Sequence, residues 1–255
     1  MERKQLSDDL LSAATNGYAE VVELILDEPE AVDVVDEPDK DGNSPLILAA
    51  TGGHVDVVDL LLEKTAAVNR LGHEKISPIR AALVGGHSEV AELLLRQPDF
   101  SIKACEWTPL NSAASQGFLR VVKLLLTAGA DLDQLDDDNS TPLHLASANG
   151  HAMVVKRLLQ KANRRGRTNP SLELRSGSGL TPLIAAATEG HSRVVQLLLD
   201  EGANVDAVGK NNETALKGAI KNGHADVIKL LYDYMKERRP REYPPIDDFE
   251  GSKLG

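Results

Sequence analysis

The chain has 255 residues, a formal net charge of −11 and a single cysteine, and these features exclude several classes of protein. The negative charge disfavours non-specific binding to nucleic acid or anionic lipid and favours partners with a basic surface. One cysteine cannot form an intramolecular disulfide, and no apolar stretch has the length of a signal-peptide core or a membrane span. We therefore expect a soluble cytoplasmic protein without membrane insertion and without direct contact with nucleic acid.

A motif that recurs along the chain determines the predicted elements. In its fullest form, at residue 141, it reads TPLHLASANGH, and the weaker copies keep its Ser/Thr start and its glycine. The copies are spaced 33, 31, 33, 40 and 33 residues apart and begin at Ser44, Ser77, Thr108, Thr141, Thr181 and Thr214. A fixed period of this length predicts helical units that stack, because a single unit cannot bury its own apolar face.

Each copy of the motif predicts a pair of helices. The Ser or Thr hydroxyl is placed to cap the first helix, and a proline after it is tolerated in the first turn. A glycine such as Gly150 ends this helix, because glycine adopts a left-handed backbone at little cost. The second helix carries the pattern of Val154, Val155, Leu158 and Leu159, which forms one broad apolar stripe.

The motif copies, their spacing and the Gly-His that ends five of them resemble the ankyrin repeat from about residue 6 to residue 236. The resemblance implies an all-α solenoid of stacked helix-turn-helix units with short β-hairpin-like loops, in a single domain over residues 1–239. The implied repeats lie near residues 6–36, 40–72, 73–103, 104–136, 137–164, 177–209 and 210–239. We expect a polar cap at each end, because polar residues replace Thr-Pro in the first repeat and the last ends in charged residues.

The hairpin before Thr108 is shorter than the others and contains Trp107, the only tryptophan of the chain. Two interpretations of Trp107 stay open, since it either anchors a partner or fills the space left by the missing residues. The next hairpin is acidic, with Asp131, Asp133, Asp136, Asp137 and Asp138. It lacks the glycine and the glutamate that a calcium-binding EF-hand loop needs, so it is interpreted as an ordinary hairpin tip or as a contact patch for a basic partner.

Two later segments lie outside the repeat pattern. Residues 162–178 are predicted to form a basic surface insertion, interpreted as a solvated loop, an import signal or a phosphate contact. The basic cluster at its start consists of Lys161, Arg164, Arg165 and Arg167. Residues 240–255 contain prolines and acidic residues and are predicted to form a disordered tail, with residues 243–249 as a candidate linear motif.

Five histidines occupy one equivalent place after the helix-ending glycine, namely His54, His87, His151, His191 and His224. They are expected to lie roughly 9–10 Å apart, one repeat from the next. A zinc ion needs ligand atoms about 2 Å away, so these histidines cannot share one metal. The family resemblance implies that they bridge neighbouring repeats through hydrogen bonds and that His144 bonds to the Thr141 hydroxyl.

The chain shows no pattern that predicts catalysis. Cys105 has no histidine near it in sequence, and a glycine-rich phosphate loop, HExxH and GxSxG are missing. We therefore expect neither enzyme activity nor a metal or cofactor.

The resemblance implies that a partner protein contacts the hairpin tips and the exposed side of the first helices. The candidate contact residues at these places are Ile76, Trp107, Gln116, Asp137, Asp138, Asn149, Leu180, Glu189, Asn211 and Lys221. Ile76 and Leu180 are apolar where solvent favours polar residues, which strengthens the prediction.

The favoured function is a non-catalytic scaffold or adaptor, monomeric, that binds its partner through the hairpin tips and the concave helix face. The alternative is an acidic inhibitory or regulatory subunit that masks a basic partner such as a transcription factor or a kinase. The basic insertion makes the nucleus a second candidate location. The partner itself is not predicted, because this fold serves many unrelated roles.

Overall fold

The computed structural model describes residues 3–64, 66–104, 107–163 and 170–238. The chain divides into two compact units, Met1–Asp131 and Leu132–Gly255, which we describe in turn. The single domain expected over residues 1–239 stays a prediction. The all-α prediction is confirmed, since none of the described residues lies in a β-strand. Within the same ranges no helix is both long enough and apolar enough to span a bilayer.

The first unit is built from helix pairs. Its helices are, in chain order, α1 (Arg3–Asn16), α2 (Ala19–Leu26), α3 (Ala31–Val34), α4 (Pro45–Gly52), α5 (Val55–Glu63), α6 (Pro78–Val84), α7 (Ser88–Leu95), α8 (Pro109–Ser115) and α9 (Leu119–Thr127). The first helices of the pairs pack on one another, with α1 on α4, α4 on α6 and α6 on α8. The second helices do the same, with α2 on α5, α5 on α7 and α7 on α9, so each pair stacks on the pair before it.

The second unit repeats this arrangement. Its helices are α10 (Pro142–Ala148), α11 (Ala152–Asn163), α12 (Pro182–Thr188), α13 (Ser192–Asp200), α14 (Ala215–Lys221) and α15 (Ala225–Arg238). Among them α10 packs on α12 and α12 on α14, while α11 packs on α13 and α13 on α15. Both units therefore have the stacked helix-turn-helix architecture that the repeat predicts.

The connections between pairs contain hydrogen-bonded turns. In five of them a backbone N–H donates to the carbonyl four residues later, at 2.7–3.1 Å, and these pairs are Asp39 with Asn43, Gly72 with Ile76, Asp136 with Ser140, Ser176 with Leu180, and Gly209 with Glu213. Short 3-10 helices lie in the connections at His73–Lys75, Ile102–Ala104, Pro170–Leu172 and Lys210–Asn212. The hairpin-like loops are thus tight turns in which the described residues form no strand pair.

The packing of the pairs depends on side-chain size. In α5 the stripe of Val57, Val58 and Leu61 is buried, as predicted from the pattern of the second helices. Each such aliphatic side chain contributes about 1.5–3 kcal/mol when it is removed from water. The first helices are short and rich in alanine, and Ala49 and Ala50 of α4 are fully buried. Small side chains let neighbouring first helices approach closely.

The predicted caps are present in five of the six motif copies. The hydroxyl oxygens of Ser44, Ser77, Thr141, Thr181 and Thr214 accept a hydrogen bond from the backbone N–H three residues later, at 3.2–3.4 Å. The cap expected at Thr108 is wrong, because the Thr108 side chain makes no such bond. The ψ of Thr108 is 78° instead of the extended value near 160° of the others, since the short hairpin before it brings the chain into α8 on a different path.

The N-terminal cap is less polar than we expected. Tyr18, Leu24 and Val32 are exposed, and Val21 is 43% exposed. Val57, the equivalent residue four places after the helix-ending glycine of the next repeat, is 1% exposed. The difference arises because no described residue covers Val21 in the way that the first repeat covers Val57.

The surface insertion at residues 162–178 stays a prediction, and the structure buries two residues of its second half. Ser171 and Leu172 are buried, the Ser171 hydroxyl donates to the Asp133 carboxylate, and the backbone N–H of Asn204 donates to Glu173 at 2.8 Å. These residues belong to the turn that leads into α12, because their contacts join consecutive repeats. The insertion's Arg164, Arg165 and Arg167 lie outside the described residues, as do Cys105 and the tail predicted at residues 240–255.

Candidate functional site

Four of the repeated histidines hold a helix pair to the pair before it in the same unit. Their Nε2 atoms lie 2.8–3.1 Å from backbone carbonyl oxygens about one repeat earlier, with His54 at Thr15, His87 at Thr51, His191 at Ala148 and His224 at Thr188. A carbonyl only accepts, so each Nε2 carries the proton that is donated. These four histidines therefore have a structural contact of the kind that the resemblance implied. His151 is half-buried at the equivalent place.

The helix-ending glycine makes room for this histidine. Gly53 has a φ of 72°, and a Cβ added to it would collide with the imidazole ring of His87 in the next repeat. Gly190 and His224 have the same relation. Glycine is thus required for the left-handed backbone and also for the bridge between repeats, and only the first reason was apparent from the sequence.

Phe118 interrupts the series, because it occupies the place of the histidine in the third motif copy. There the side-chain amide of Gln116 donates to the carbonyl of Leu83, one repeat earlier. Gln116 was predicted to contact a partner, but its amide holds two neighbouring repeats together. The phenylalanine in the sequence was the signal that another residue had to form this bridge.

His144 is buried at 3% exposure and has a polar partner for each ring nitrogen. Its Nδ1 lies 2.8 Å from the Thr141 hydroxyl and accepts from the Thr141 backbone N–H at 3.2 Å. Its Nε2 lies 2.9 Å from the Leu174 carbonyl and 3.1 Å from that of Leu180. Burial lowers the pKa of His144 below 6.5, although the two carbonyls act in the opposite direction. This environment favours a neutral imidazole that orders the turn before α12.

The acidic hairpin of the second unit is ordered by one of its own carboxylates. Asp136 accepts hydrogen bonds from the backbone N–H groups of Asp138 and Ser140, at 3.0 and 2.7 Å. The side chains of Asp137 and Asp138 are exposed at the tip. In the described part of the chain, no three His, Cys, Asp or Glu residues are grouped so that they could hold a metal ion. The hairpin therefore presents two carboxylates on a rigid turn.

The second unit brings further candidate contact residues to one side. Asn149 and Glu189 directly follow α10 and α12, and Lys221 is the last residue of α14. All three are exposed, and α12 packs against both of the other helices. Asn211 is exposed in the last turn, whereas Leu180 is half-buried before α12. These polar side chains form a row along the ends of the first helices.

The first unit contains an apolar cavity of about 250 Å³ on its first helices. Its lining residues are Thr51, Ile76, Arg80, Ala81, Val84 and Gly85. Val84 is 71% exposed at its rim, while Ile76 and Arg80 are half-buried. Sequence reasoning found Ile76 but missed Arg80 and Val84. The signal for Val84 was an aliphatic side chain at the place where the neighbouring copies have Thr51 and Ser115.

Trp107 lies beside this cavity. The guanidinium carbon of Arg80 is 5.9 Å from the centroid of the indole ring, within the range of a cation–π contact. The ring is half-buried, and its Nε1 is buried with no hydrogen-bond partner among the described residues. Both interpretations of Trp107 are therefore compatible with its position, since part of the ring packs inside and part stays exposed.

A second cavity, of about 750 Å³, lies elsewhere in the first unit, and its lining includes Leu62, Val68, Asn69 and Asp99. The Asn69 amide donates to the Asp99 carbonyl at 2.6 Å and accepts from the Ser101 N–H at 3.1 Å. Because both ends of this amide are hydrogen-bonded within the protein, this second cavity is a weaker candidate for a binding site than the cavity at Val84.

A protein-family model described as ankyrin repeats in three copies matches residues 10–104, 79–169 and 165–239. These matches extend over nearly the whole described part of the chain. The match shows the repeat family and does not identify a particular partner.

Two known proteins illustrate the similarity. The chain is 30% identical over 125 residues to the B-cell lymphoma 3 protein homolog of Mus musculus. This match covers 49% of the chain and 27% of that protein. The chain is also 34% identical over 132 residues to the ankyrin repeat and KH domain-containing protein mask-1 of Caenorhabditis elegans. This match covers 51% of the chain and 5% of that protein. The matches thus span about a quarter or less of the length of these relatives.

A solved structure shows the same fold. The ankyrin repeat domain of human ASB11 matches with a TM-score of 0.69 and 25% sequence identity. The match covers 87% of this chain and 96% of that domain. The common feature of these three proteins is the repeat itself.

Proposed function

The chain belongs to the ankyrin repeat family, and from that premise we propose that it is a non-catalytic scaffold or adaptor that binds a partner protein. Ankyrin repeats generally mediate protein–protein interaction, and no catalytic family is indicated for this chain. In each unit the proposed binding surface consists of the hairpin tips and the exposed faces of the first helices, with Val84 and Trp107 in the first unit and Glu189 and Lys221 in the second.

The exposure of Val84 carries this proposal. Its aliphatic side chain is exposed on α6 and lines the same cavity as the half-buried Ile76. Contiguous exposed apolar side chains are typical of an interaction surface. Since the stacked helices are already ordered, a partner that binds here immobilises few additional residues, which lowers the entropic cost of binding.

The test is capture of partners by the full chain, with cross-linking and mass spectrometry, compared between the unchanged protein and Val84→Asp. We expect the main partner to be missing from the proteins captured by Val84→Asp. Binding would bury the new carboxylate at the rim of an apolar cavity, and its desolvation costs free energy. Val32→Asp is the matched control, since Val32 is equally exposed in the first unit but lies on α3. A partner set that is the same for both variants would place the binding surface elsewhere.

The exposed Asp137 and Asp138 favour a second candidate function, in which the chain masks a basic partner. Binding through such exposed charges weakens as salt is added, because the Debye length falls from about 10 Å at 0.1 M to about 3 Å at 1 M. The test is the affinity of the captured partner at low and high salt, for the unchanged chain and for Asp137→Asn with Asp138→Asn. Removal of two other exposed acids, by Asp59→Asn with Glu63→Gln, is the control. An affinity independent of salt and of the tip charges would contradict this function.

A monomeric state and a cytoplasmic location, with the nucleus as the alternative, are part of the proposal. The net charge of −11 supports the monomer, since like charges oppose self-association. Light scattering of the purified chain and imaging of a fluorescent fusion test these two points.

A further inference from the structure

The cavity at Val84 differs in its chemistry from the equivalent places of the two neighbouring copies. The equivalent place holds Thr51 in the preceding copy and Ser115 in the following one, and both are hydroxyl residues. Beside Val84 the cavity is lined by Ile76 and Ala81, so its wall is aliphatic on more than one side. At about 250 Å³ it is smaller than the roughly 300–1,000 Å³ of a typical small-molecule pocket. A single aliphatic side chain of a partner suits this volume better than a whole ligand.

Arg80 adds a charge to this aliphatic wall. Its guanidinium is half-buried beside the Trp107 ring, and in the described part of the chain no carboxylate lies within ion-pair distance of it. The half-buried Arg70 and Arg157 also have no ion pair among the described residues, and Arg80 is the one of the three that lines the cavity at Val84. The indole lies within cation–π distance of the guanidinium, and the planar N–H donors of Arg80 can pair with a carboxylate from outside.

From these observations we infer that the cavity binds an acidic-aliphatic segment of a partner protein. In this segment an aliphatic side chain enters the cavity between Ile76 and Val84, and an Asp or Glu within two residues of it pairs with Arg80. The inference deepens the proposed function and rests on it, because it assigns a chemistry to the partner at the same surface.

Charge complementarity distinguishes this occupant from the others. A basic segment would bring its charge against the Arg80 guanidinium, and like charges at an interface are unfavourable. A purely apolar segment would fill the cavity but leave the donors of Arg80 partly desolvated without a partner, which costs free energy. An aliphatic side chain next to a carboxylate satisfies both parts of the site.

The first experiment selects ligands for the full chain from a displayed library of random peptides about ten residues long. We expect enrichment of peptides with Leu, Ile or Val within two residues of Asp or Glu. Enrichment of basic peptides, or no enrichment at all, would overturn the inference.

The second experiment titrates a synthetic enriched peptide that lacks tryptophan and follows the intrinsic fluorescence of the chain. Trp107 is the only tryptophan, so the emission reports on the surroundings of its ring, where Arg80 of the cavity lies at 5.9 Å. We expect a saturable change in emission. A peptide that binds by calorimetry without changing the Trp107 emission would show that it lies elsewhere, which also overturns the inference.

Variants separate the two parts of the site. Arg80→Gln is expected to weaken binding of the acidic peptide about 10- to 100-fold, the loss for a hydrogen-bonded charge pair. It should weaken binding of the same peptide with Gln in place of its acid much less. Arg193→Gln, at an exposed arginine of α13, is the control for charge. Equal losses for both peptides would contradict a role of Arg80 in carboxylate recognition.

Val84→Asp tests the aliphatic part, with Val32→Asp as its control. Thermal unfolding of every variant shows whether it is folded, and Val84→Ser replaces Val84→Asp if the charge destabilises α6. If Val84→Asp, or Val84→Ser in its place, keeps the peptide affinity of the unchanged chain, the inference is wrong. The proposed function fails separately, when the full chain captures no partner by cross-linking at all, so the two failures are distinguishable.

Discussion

At the scale of the residue, neighbouring repeats of the same unit are held together by a few side chains, most of them at positions that the motif determines. His87 reaches the Thr51 carbonyl of the preceding repeat, at 3.0 Å, only because Gly53 has no Cβ in its way. His144 has a different structural role. Its Nδ1 is hydrogen-bonded to Thr141, and its Nε2 lies within hydrogen-bond distance of two backbone carbonyls of the following turn. The two kinds of histidine therefore differ in the partners of their ring nitrogens.

Protonation of His144 is expected to destabilise the fold. Burial lowers the pKa of His144 in the folded protein, so the unfolded chain binds the proton first as the pH falls. The stability that depends on neutral His144 is fully present above pH 6.5, the ordinary value of the group, and is lost as the pH falls from there through the folded pKa. Urea unfolding at neutral and at mildly acidic pH measures this loss.

The loss should become smaller in His144→Gln, which cannot titrate. His73→Gln is the control, because His73 is exposed in a hairpin. If the unchanged protein and His144→Gln lose the same free energy of unfolding between the two pH values, other groups cause the pH dependence.

At the scale of the element, the start of each first helix depends on a hydroxyl cap, and the structure supplies both a capped and an uncapped example. Thr181 accepts from the Ile184 N–H at 3.3 Å, whereas Thr108 makes no cap hydrogen bond. Both threonines precede a proline and were predicted to have the same role. The shortened hairpin before Thr108 explains the difference, because the backbone of Thr108 is not extended there.

Thr181→Ala is therefore expected to lower the free energy of unfolding by about 1 kcal/mol, the usual contribution of a hydroxyl cap. Thr108→Ala should lower it less, since no cap hydrogen bond is lost. Urea unfolding of the two variants under the same conditions measures the difference. Equal losses would mean that the hydroxyl of Thr181 contributes no more than the one at Thr108.

At the scale of the whole molecule, stability comes from contacts between neighbouring helix pairs, as expected of repeat proteins. Leu61 of α5 is fully buried, and α5 packs against both α2 and α7. Leu24 of α2 has the same side chain but is 70% exposed. The same residue type thus contributes to stability in one repeat and mainly to the surface in another.

Leu61→Ala is expected to lower the free energy of unfolding by about 2–5 kcal/mol, because it leaves a cavity between helices. Leu24→Ala should change it by no more than about 0.5 kcal/mol, as is usual for an exposed position. Chemical denaturation of both variants tests the pair. A large loss at Leu24 would show that its side chain is covered in solution.

The sequence by itself determined the repeat, the helix-ending glycines, most caps and the buried stripe of the second helices. These features depend on neighbours within one repeat, so a local pattern is enough to predict them. The tertiary structure decided the bridge from Gln116 to Leu83, the burial of Ser171 and the cavity that joins Ile76, Arg80 and Val84 beside Trp107. Such contacts join side chains from different repeats or from a hairpin and a helix, and their outcome depends on packing distances that one-dimensional spacing does not contain.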